Sequence, residues 1–402
     1  MVNLYKRYFI NKIKDKINNK QTKINYKNND NDFIRNRKMS FQNVVLYNLN
    51  KKGLTSKMEI EEFTEQVNMM DISAPAVLKQ RLKLNGKIYL DMMQENLKGF
   101  YTEFKDEVKL LNGYIVCAID GSDFEIPNTI KTRNKYNVLH PKECVARASV
   151  SNMFDILNYF VMDTIIEKYD SSERKMAKQN LKNVKDLDLP YPIIRVMDRG
   201  YTSLPDMYYS NENNDKYLIR LQNKDFKKQI DKMKCKDEIV TIPYQYDRVR
   251  YYKKDYPEFY QKMEETKEDI KLRIIIVNND GEEIRLATNL SNEEFNYEEI
   301  VELYKLRWNI ELNYHCLKES LKIETITSSN DIIIEQDIYS QMLIYNLIQA
   351  FKQDAEKNID QNKYKNEMKI NMNMAVGFVK KALLKIILEP NDKQRDKLFE
   401  LL

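Results

Sequence analysis

The sequence predicts a mixed α/β core with helical regions on either side. Three observations predict it. Two short apolar runs, YIVCAID (114–120) and PIIRVMD (192–198), read as strands that each close on an acid. A polar stretch of helical period, SERKMAKQNLKNV, lies between strand-like runs in the same part of the chain. Near the C-terminus, IYSQMLIYNLIQAFKQDA and MAVGFVKKALLKIIL space their apolar residues as amphipathic helices do.

The chain has 402 residues and 42% hydrophobic content, enough for several cores. Residues 1–58 hold 14 Lys and Arg against three Asp, a surplus of 11 positive charges; with a net charge of +5, the remainder carries −6. A basic leading segment on a slightly acidic body suits a polyanion such as nucleic acid, and a solvated lysine-rich tail has the same composition. No run approaches the ~18 uninterrupted apolar residues of a membrane span. The charged start MVNLYKRYFINKIKDKINNK has no apolar signal-peptide core. Cys117, Cys144, Cys235 and Cys316 are scattered and only two His are present, which argues against a zinc cage or disulfide framework and for a reduced cytoplasmic setting.

Element by element, residues 1–32 read as a basic flexible arm, because charged residues dilute the apolar ones. Residues 33–105 read as helical. Val44–Leu49 precede Gly53, a second helix fits Lys57–Val67, and Ser73 can cap a third that carries Val77, Leu78, Leu82 and Leu84. Short helices with a basic last member have the outline of a helix-turn-helix DNA-binding unit, and equally of a plain packing domain. Residues 106–222 supply the first part of the core: strand 114–120, two strands around Leu157–Asn158, a helix from Ser172, strand 192–198, a short helix near Leu204–Tyr209 and strand KYLIRLQ. Residues 223–292 break the rhythm with β-rich pieces and read as an inserted β subdomain. Residues 293–330 hold a long helix from about Asn296 to Lys322, and 331–402 form a C-terminal helical region.

That long helix carries YKLRWNIELNYHCLK. Tyr304, Arg307, Glu311 and Lys318 follow one another at steps of three, four and seven, which places them within roughly 60° on one helical stripe. One carboxylate among two cations and a phenol suits gripping a metal ion and a phosphodiester together. Asp120 and Asp198 stand where two strands end, the edge at which ligands gather in α/β sheets. Asp120 is followed by Gly-Ser, read as a turn; Asp123 is its rival beyond that turn. Three carboxylates with few His favour Mg²⁺, or Mn²⁺ in its place. Taken singly, a strand-end Asp is more often a turn-former, and Glu311 a surface ion-pair partner.

IDGSD, MDRGY and Tyr-x2-Arg-x3-Glu-x6-Lys, in this order, resemble the DDE transposases of bacterial insertion sequences, in particular the insertion-sequence-4-like group with that signature. The resemblance covers roughly residues 33–325. It implies a ribonuclease-H-like catalytic core interrupted by a β-rich insertion. Asp120, Asp198 and Glu311 would form the metal-binding catalytic triad, and Tyr304, Arg307 and Lys318 would hold DNA phosphates. Arg199 is first a local salt-bridge partner and second a phosphate contact. Trp308 is first an anchor of the helix against the sheet, with stacking on an extruded base as the other reading. His315, on the motif face, suits hydrogen bonding or phosphate contact better than metal ligation. The basic, tyrosine-rich YDRVRYYKK (246–254) is either a DNA-gripping piece or a solvated hairpin.

The expected function is therefore a transposase. It would bind terminal inverted repeats in double-stranded DNA, cleave with Mg²⁺, join the freed 3′-hydroxyl to target DNA, work as a dimer on DNA, and be nucleoid-associated. The rivals are a catalytically idle DNA-binding regulator and a metal-dependent nuclease without strand transfer.

Overall fold

The computed structural model describes residues 4–138, 145–279, 282–363, 366 and 368–400. Cys144 lies outside the described residues. Six helices open the chain: α1 (Leu4–Asn18), α2 (Lys20–Asn25), α3 (Phe41–Asn50), α4 (Ser56–Gln66), α5 (Ala74–Arg81) and α6 (Lys87–Glu103). The core follows as β1 (Ile115–Glu125), α7 (Ile130–Tyr136), β2 (Arg147–Asp155), β3 (Phe160–Lys168), α8 (Glu173–Lys185), β4 (Ile193–Met197), α9 (Leu204–Glu212) and β5 (Lys216–Arg220). Next come α10 (Lys227–Ile230), β6 (Asp237–Ile242), α11 (Tyr246–Tyr251), α12 (Pro257–Thr266), β7 (Ile270–Asn279) and β8 (Glu282–Thr288). The motif segment is α13 (Tyr297–Lys305), a 3₁₀ turn (Leu306–Trp308), α14 (Asn309–His315) and a π turn (Cys316–Ser320). The chain closes with α15 (Asp331–Glu356), α16 (Met372–Leu388) and α17 (Asp392–Glu400).

The mixed α/β expectation holds. One eight-stranded sheet runs in the order β3-β2-β1-β4-β5-β8-β7-β6. β1, β2 and β3 form an antiparallel meander, β1, β4 and β5 are parallel, and β5 meets β8 antiparallel. The runs of β1 and β4 are apolar without alternation because the middle of the sheet is covered on both faces. α8 packs on one side of β1 and α14 on the other, and Val116, Cys117, Ala118, Val196 and Leu218 are fully buried.

Three expectations need correction. Residues 4–25 are helical, not a loose arm. Phe9, Ile10, Ile13 and Ile17 recur at helical spacing among the lysines and are buried where α1 packs on α6, α15 and α16. Lys6 Nζ reaches Asp354 Oδ2 at 2.8 Å and the Phe399 carbonyl at 3.2 Å, so the start of the described chain is fastened to its end. Secondly, β6, β7 and β8 do not stand apart as a subdomain: through β8 they extend the core sheet beyond β5. YDRVRYYKK is no hairpin either, but the short helix α11 and the turn before α12. Thirdly, Gly121-Ser122 makes no turn. β1 runs on to Glu125 against β2, while its pairing with β4 stops at Ile119↔Met197. α6, α7 and α17 were not singled out from the sequence.

A buried polar joint ties the N-terminal helices to α15. Asp337 pairs with Lys51 at 2.9 Å and with Arg81, all three side chains being almost fully buried. Burial alone would raise the Asp337 carboxyl, but Arg81 and Lys51 outweigh it and hold it below its usual range. Arg81 also donates to Thr327 Oγ1 (2.8 Å), and Gln336 Nε2 donates to the carbonyls of Arg81 (2.7 Å) and Leu84 (2.6 Å).

Candidate active site

The parallel register brings two acids together. Ile119 pairs with Met197, so Asp120 and Asp198 follow on neighbouring strands at the point where β4 turns away from β1. β4 turns off into the 3₁₀ turn Arg199–Tyr201. Asp120, Asp198 and Glu173 line an open cleft of about 690 Å³ together with Arg199, Tyr201, Arg220 and Lys224.

The motif helix faces this edge. Tyr304 Oη donates to Asp198 Oδ1 at 3.3 Å, and Arg307 Nη2 donates to Glu311 Oε1 at 2.8 Å. The Arg307 guanidinium lies 5.9 Å from the Tyr304 ring centroid. Lys318 departs from the group. Its Nζ donates to the Asp123 carbonyl at 2.6 Å, lies over the Phe124 ring at 5.2 Å and sits 3.7 Å from Glu324. The 3₁₀ turn before α14 and the wider π turn after it distort the ideal stripe, and Lys318 lies on the π turn. Asp123 therefore stands beside Lys318, farther along β1, and Asp120 stands in the cleft.

Trp308 does not anchor the helix. It is 58% exposed, with Leu312 beside it at 56%. The buried face is made by Ile300, Leu303, Ile310 and Leu317, and at helical spacing Trp308 falls on the far side from them. Arg199 forms no ion pair among the described residues and is exposed in the cleft, against the salt-bridge expectation. His315 is exposed.

Three residues were missed. Glu173, in the first turn of α8, puts its carboxylate between Gly121 and Gly200; a Cβ on either would come within 3.4 and 3.5 Å of it. Tyr201 is buried, and its hydroxyl has no partner although it borders the cleft. Burial pushes that phenol up, and the charges of Asp120, Glu173 and Asp198 add to the effect. Tyr314 is buried on α14 and bridges two paired residues of the β1–β2 ladder. Its hydroxyl accepts the Asn152 N–H at 3.0 Å and donates to the Asp120 carbonyl at 2.7 Å, with the Val150 carbonyl 3.1 Å away. Its three-residue step from Glu311 was the available signal. Tyr201 closes the MDRGY segment, which was the signal for it; Glu173 gave none, because its place depends on which strands are neighbours.

The carboxylates at the acid edge crowd one another. The Asp120 carboxyl is pushed up to about 6, first by burial; the Gly121 N–H and Arg307 oppose this, and Glu173 and Glu311 reinforce it. Burial, then Asp123, also raises Glu173. Tyr304 rises to about 12 through burial and the Asp198 charge. Burial would lower Arg307, yet Tyr304, Glu311 and Asp198 outweigh it and hold the guanidinium charged. Clustered carboxylate oxygens beside an orphaned phenol hydroxyl fit a hard divalent cation. No three acids, His or Cys among the described residues stand close enough to make a ready cage, and Glu311 is engaged by Arg307 in this geometry.

The family model described as the transposase DDE domain matches residues 111–347, from just before β1 into α15. The chain belongs to that family. A putative transposase for insertion sequence element IS4SA from Synechocystis sp. (strain ATCC 27184 / PCC 6803 / Kazusa) is 28% identical over 158 residues, 38% of this chain and 39% of the relative. The transposase InsG for insertion sequence element IS4 from Escherichia coli (strain K12) is 22% identical over 248 residues, 59% of this chain and 52% of that protein. The chain thus spans about half or less of the length of the curated relatives it matches. A solved piggyBac transposase synaptic complex with hairpin DNA overlays with a TM-score of 0.47 at 8% identity, covering 97% of this chain and 84% of that one. Among the described residues no helix is long and apolar enough to cross a membrane.

Proposed function

We propose that this DDE transposase binds the terminal inverted repeats of its insertion sequence, cleaves DNA there with Mg²⁺, and transfers the freed 3′-hydroxyl strand to target DNA. The observation that carries the reading is the meeting of Asp120 and Asp198 on neighbouring parallel strands, with Tyr304, Arg307 and Glu311 across from them. The strand order β3-β2-β1-β4-β5, with acids on its two central strands, supports a ribonuclease-H-like core, and β6–β8 with their helices supply the inserted part.

Asp120 and Asp198 would hold the divalent cation, with Glu311 as the third ligand once it leaves Arg307; Mn²⁺ has the same donor preference. When bound, the cations activate an attacking water or 3′-hydroxyl and offset charge on the phosphate. The chain's own groups do the rest. Tyr304 orients the Asp198 carboxylate through its hydroxyl. Arg307, kept charged, is placed to hold a phosphate oxygen when Glu311 turns to the metal. Arg199 and Lys318 add phosphate contacts, and exposed Trp308 offers a ring to a base. The N-terminal helices of residues 33–105 bind DNA outside the site. Bringing two element ends together calls for a dimer on DNA, and the enzyme works at the nucleoid.

The test is Mg²⁺-dependent cleavage of a duplex carrying the element's end, comparing wild type with Asp198→Ala and Glu311→Ala. Wild type is expected to cut and both variants to bind without cutting. A variant that still cuts overturns the triad; binding without cutting by all three proteins makes the chain a DNA-binding regulator. Cleavage without joined product makes it a nuclease.

A further inference from the structure

A second cavity lies under α8, on the face of the sheet away from α14. It measures about 210 Å³ and is bounded by α8, α9 and the strands β1, β4 and β5. That is below the roughly 300 Å³ at which pockets for drug-sized ligands begin, and room for an ion with a few waters. Arg195 forms part of its floor. The parallel register sets this residue between Cys117 and Tyr217, and it is only 9% exposed. Its Nη2 donates to Ser210 Oγ at 2.8 Å, its Nε has no partner, and it forms no ion pair among the described residues.

Two carboxylates line the same cavity, and both are committed elsewhere. Asp206 pairs with Lys178 at 2.7 Å and accepts from Tyr256 Oη at 2.9 Å. Asp215 takes Lys185 Nζ on both oxygens, at 2.6 and 2.7 Å. Burial pulls the Arg195 guanidinium below its usual range, and the charges of Asp215 and Asp206 oppose this without reversing it. Arg174, exposed on α8, donates to the Thr202 carbonyl at 3.4 Å and has no carboxylate partner among the described residues. Tyr201 lines this cavity and the acid cleft alike, and its hydroxyl is unpartnered. Water in the cavity would satisfy hydrogen bonds but not the buried charge, and a buried charge without its counter-charge is strongly destabilising. The planar fork of an arginine matches the oxygen spacing of an oxyanion.

We propose that this cavity is a site for one small tetrahedral oxyanion, free inorganic phosphate in kind, held by Arg195 and Arg174 with the Tyr201 hydroxyl as a further donor. The ion supplies the counter-charge that Arg195 lacks. A phosphate within a DNA strand does not suit the site, because Arg195 is enclosed by two helices and the sheet. Occupancy fixes Tyr201, the wall shared with the acid cleft, so the state of the site is felt where Asp120 and Asp198 meet. The proposal stands apart from what the chain does to DNA.

The experiment is urea unfolding of the full chain at constant ionic strength, with inorganic phosphate replacing chloride. A ligand that binds only the folded state raises the folded-to-unfolded ratio about tenfold for every tenfold increase above its dissociation constant. Wild type is expected to show that rise. Arg195→Met should abolish it, and Arg174→Ala, a change at an exposed residue, should move it to higher phosphate. Lys182→Ala, exposed on the same helix but outside the cavity, is the control of equal charge change and should respond as wild type does. Phosphorus NMR of the added phosphate, before and after addition of a duplex carrying the element's end, reads the bound ion directly. A wild-type ratio that does not rise with phosphate overturns the site. So does a wild-type response in Arg195→Met, or in Arg174→Ala should Arg195→Met fail to fold, or a response lost equally in Lys182→Ala. Phosphate displaced by the duplex assigns the anion to DNA and overturns the free-ion site as well.

Discussion

Removing the Tyr314 hydroxyl tests whether the motif helix sets the position of Asp120. In Tyr314→Phe the ring stays packed against Phe124, an edge-on neighbour at 6.2 Å, and only the oxygen is lost. The Asn152 N–H and the Asp120 carbonyl then face each other across a gap that held a hydroxyl. A buried polar group left unpaired costs about 1–3 kcal/mol, so with partial closure of the ladder the expected loss is about 2 kcal/mol. At about 2.1 cal/mol/K of unfolding entropy per residue, a chain of 402 residues shifts by roughly 1 °C per kcal/mol, so the melting temperature falls by about 2 °C. Closure would draw Asp120 toward β2 and away from Asp198. A displacement on the order of 1 Å costs about 100-fold in rate. Single-turnover cleavage of an end-bearing duplex, with duplex affinity measured alongside, reads this directly. The expected result is a slower chemical step with unchanged affinity. A variant that is less stable yet cuts at the wild-type rate would refute the positioning role and leave Tyr314 as packing alone.

Two further outcomes follow from other parts of the chain. Trp308→Ala should change stability by no more than about 0.5 kcal/mol, because the ring is exposed, while end affinity drops about tenfold or more if a base stacks on it; chemical denaturation and anisotropy check the two halves. Lys380 is buried on α16, donating to the Lys51 carbonyl (2.7 Å) and Gln341 Oε1 (2.8 Å), and burial, with Lys51 and Lys52 adding to it against Glu59, pulls its ammonium down to about 7. The unfolded chain then holds the extra proton between about pH 7 and the ordinary lysine value, so stability should rise with pH across that window by at most about 1.4 kcal/mol per unit and be flat below it. Urea unfolding at several pH values should show that Lys380→Met removes this rise.

What could be read from sequence was what depends on local spacing. The meander around Leu157–Asn158, the helix after Ser172 and the strand before Asp198 are set by alternation, caps and apolar runs, and they stand close to where expected. Tyr304, Arg307 and Glu311 met the acid edge because three- and four-residue steps survive small changes in helical pitch. Lys318 lies seven residues farther on, beyond the start of a π turn, and distortion accumulates over that distance. The misses have a different cause. That β8 pairs with β5, that α1 covers α15, and that Glu173 looks between Gly121 and Gly200 are facts about partners distant in sequence. Trp308 was misjudged because an isolated aromatic was weighed by type, whereas the apolar positions of α13 and α14 already fix the other side of the helix as the buried one.

The fastening of α1 to α15, α16 and α17 has a consequence for synthesis. Phe9, Ile10, Ile13 and Ile17 leave the ribosome well before α15 and α16, which supply much of the surface that covers them. At about 5–20 residues per second, these side chains wait roughly 20–70 s for their partners. During that interval the N-terminal helix is a basic, amphipathic segment without its cover, open to chaperones or to other nascent copies. Yield of native protein should therefore depend on how fast the last helices are delivered, and a lesion in α15 or α16 would be felt at the opposite end of the chain.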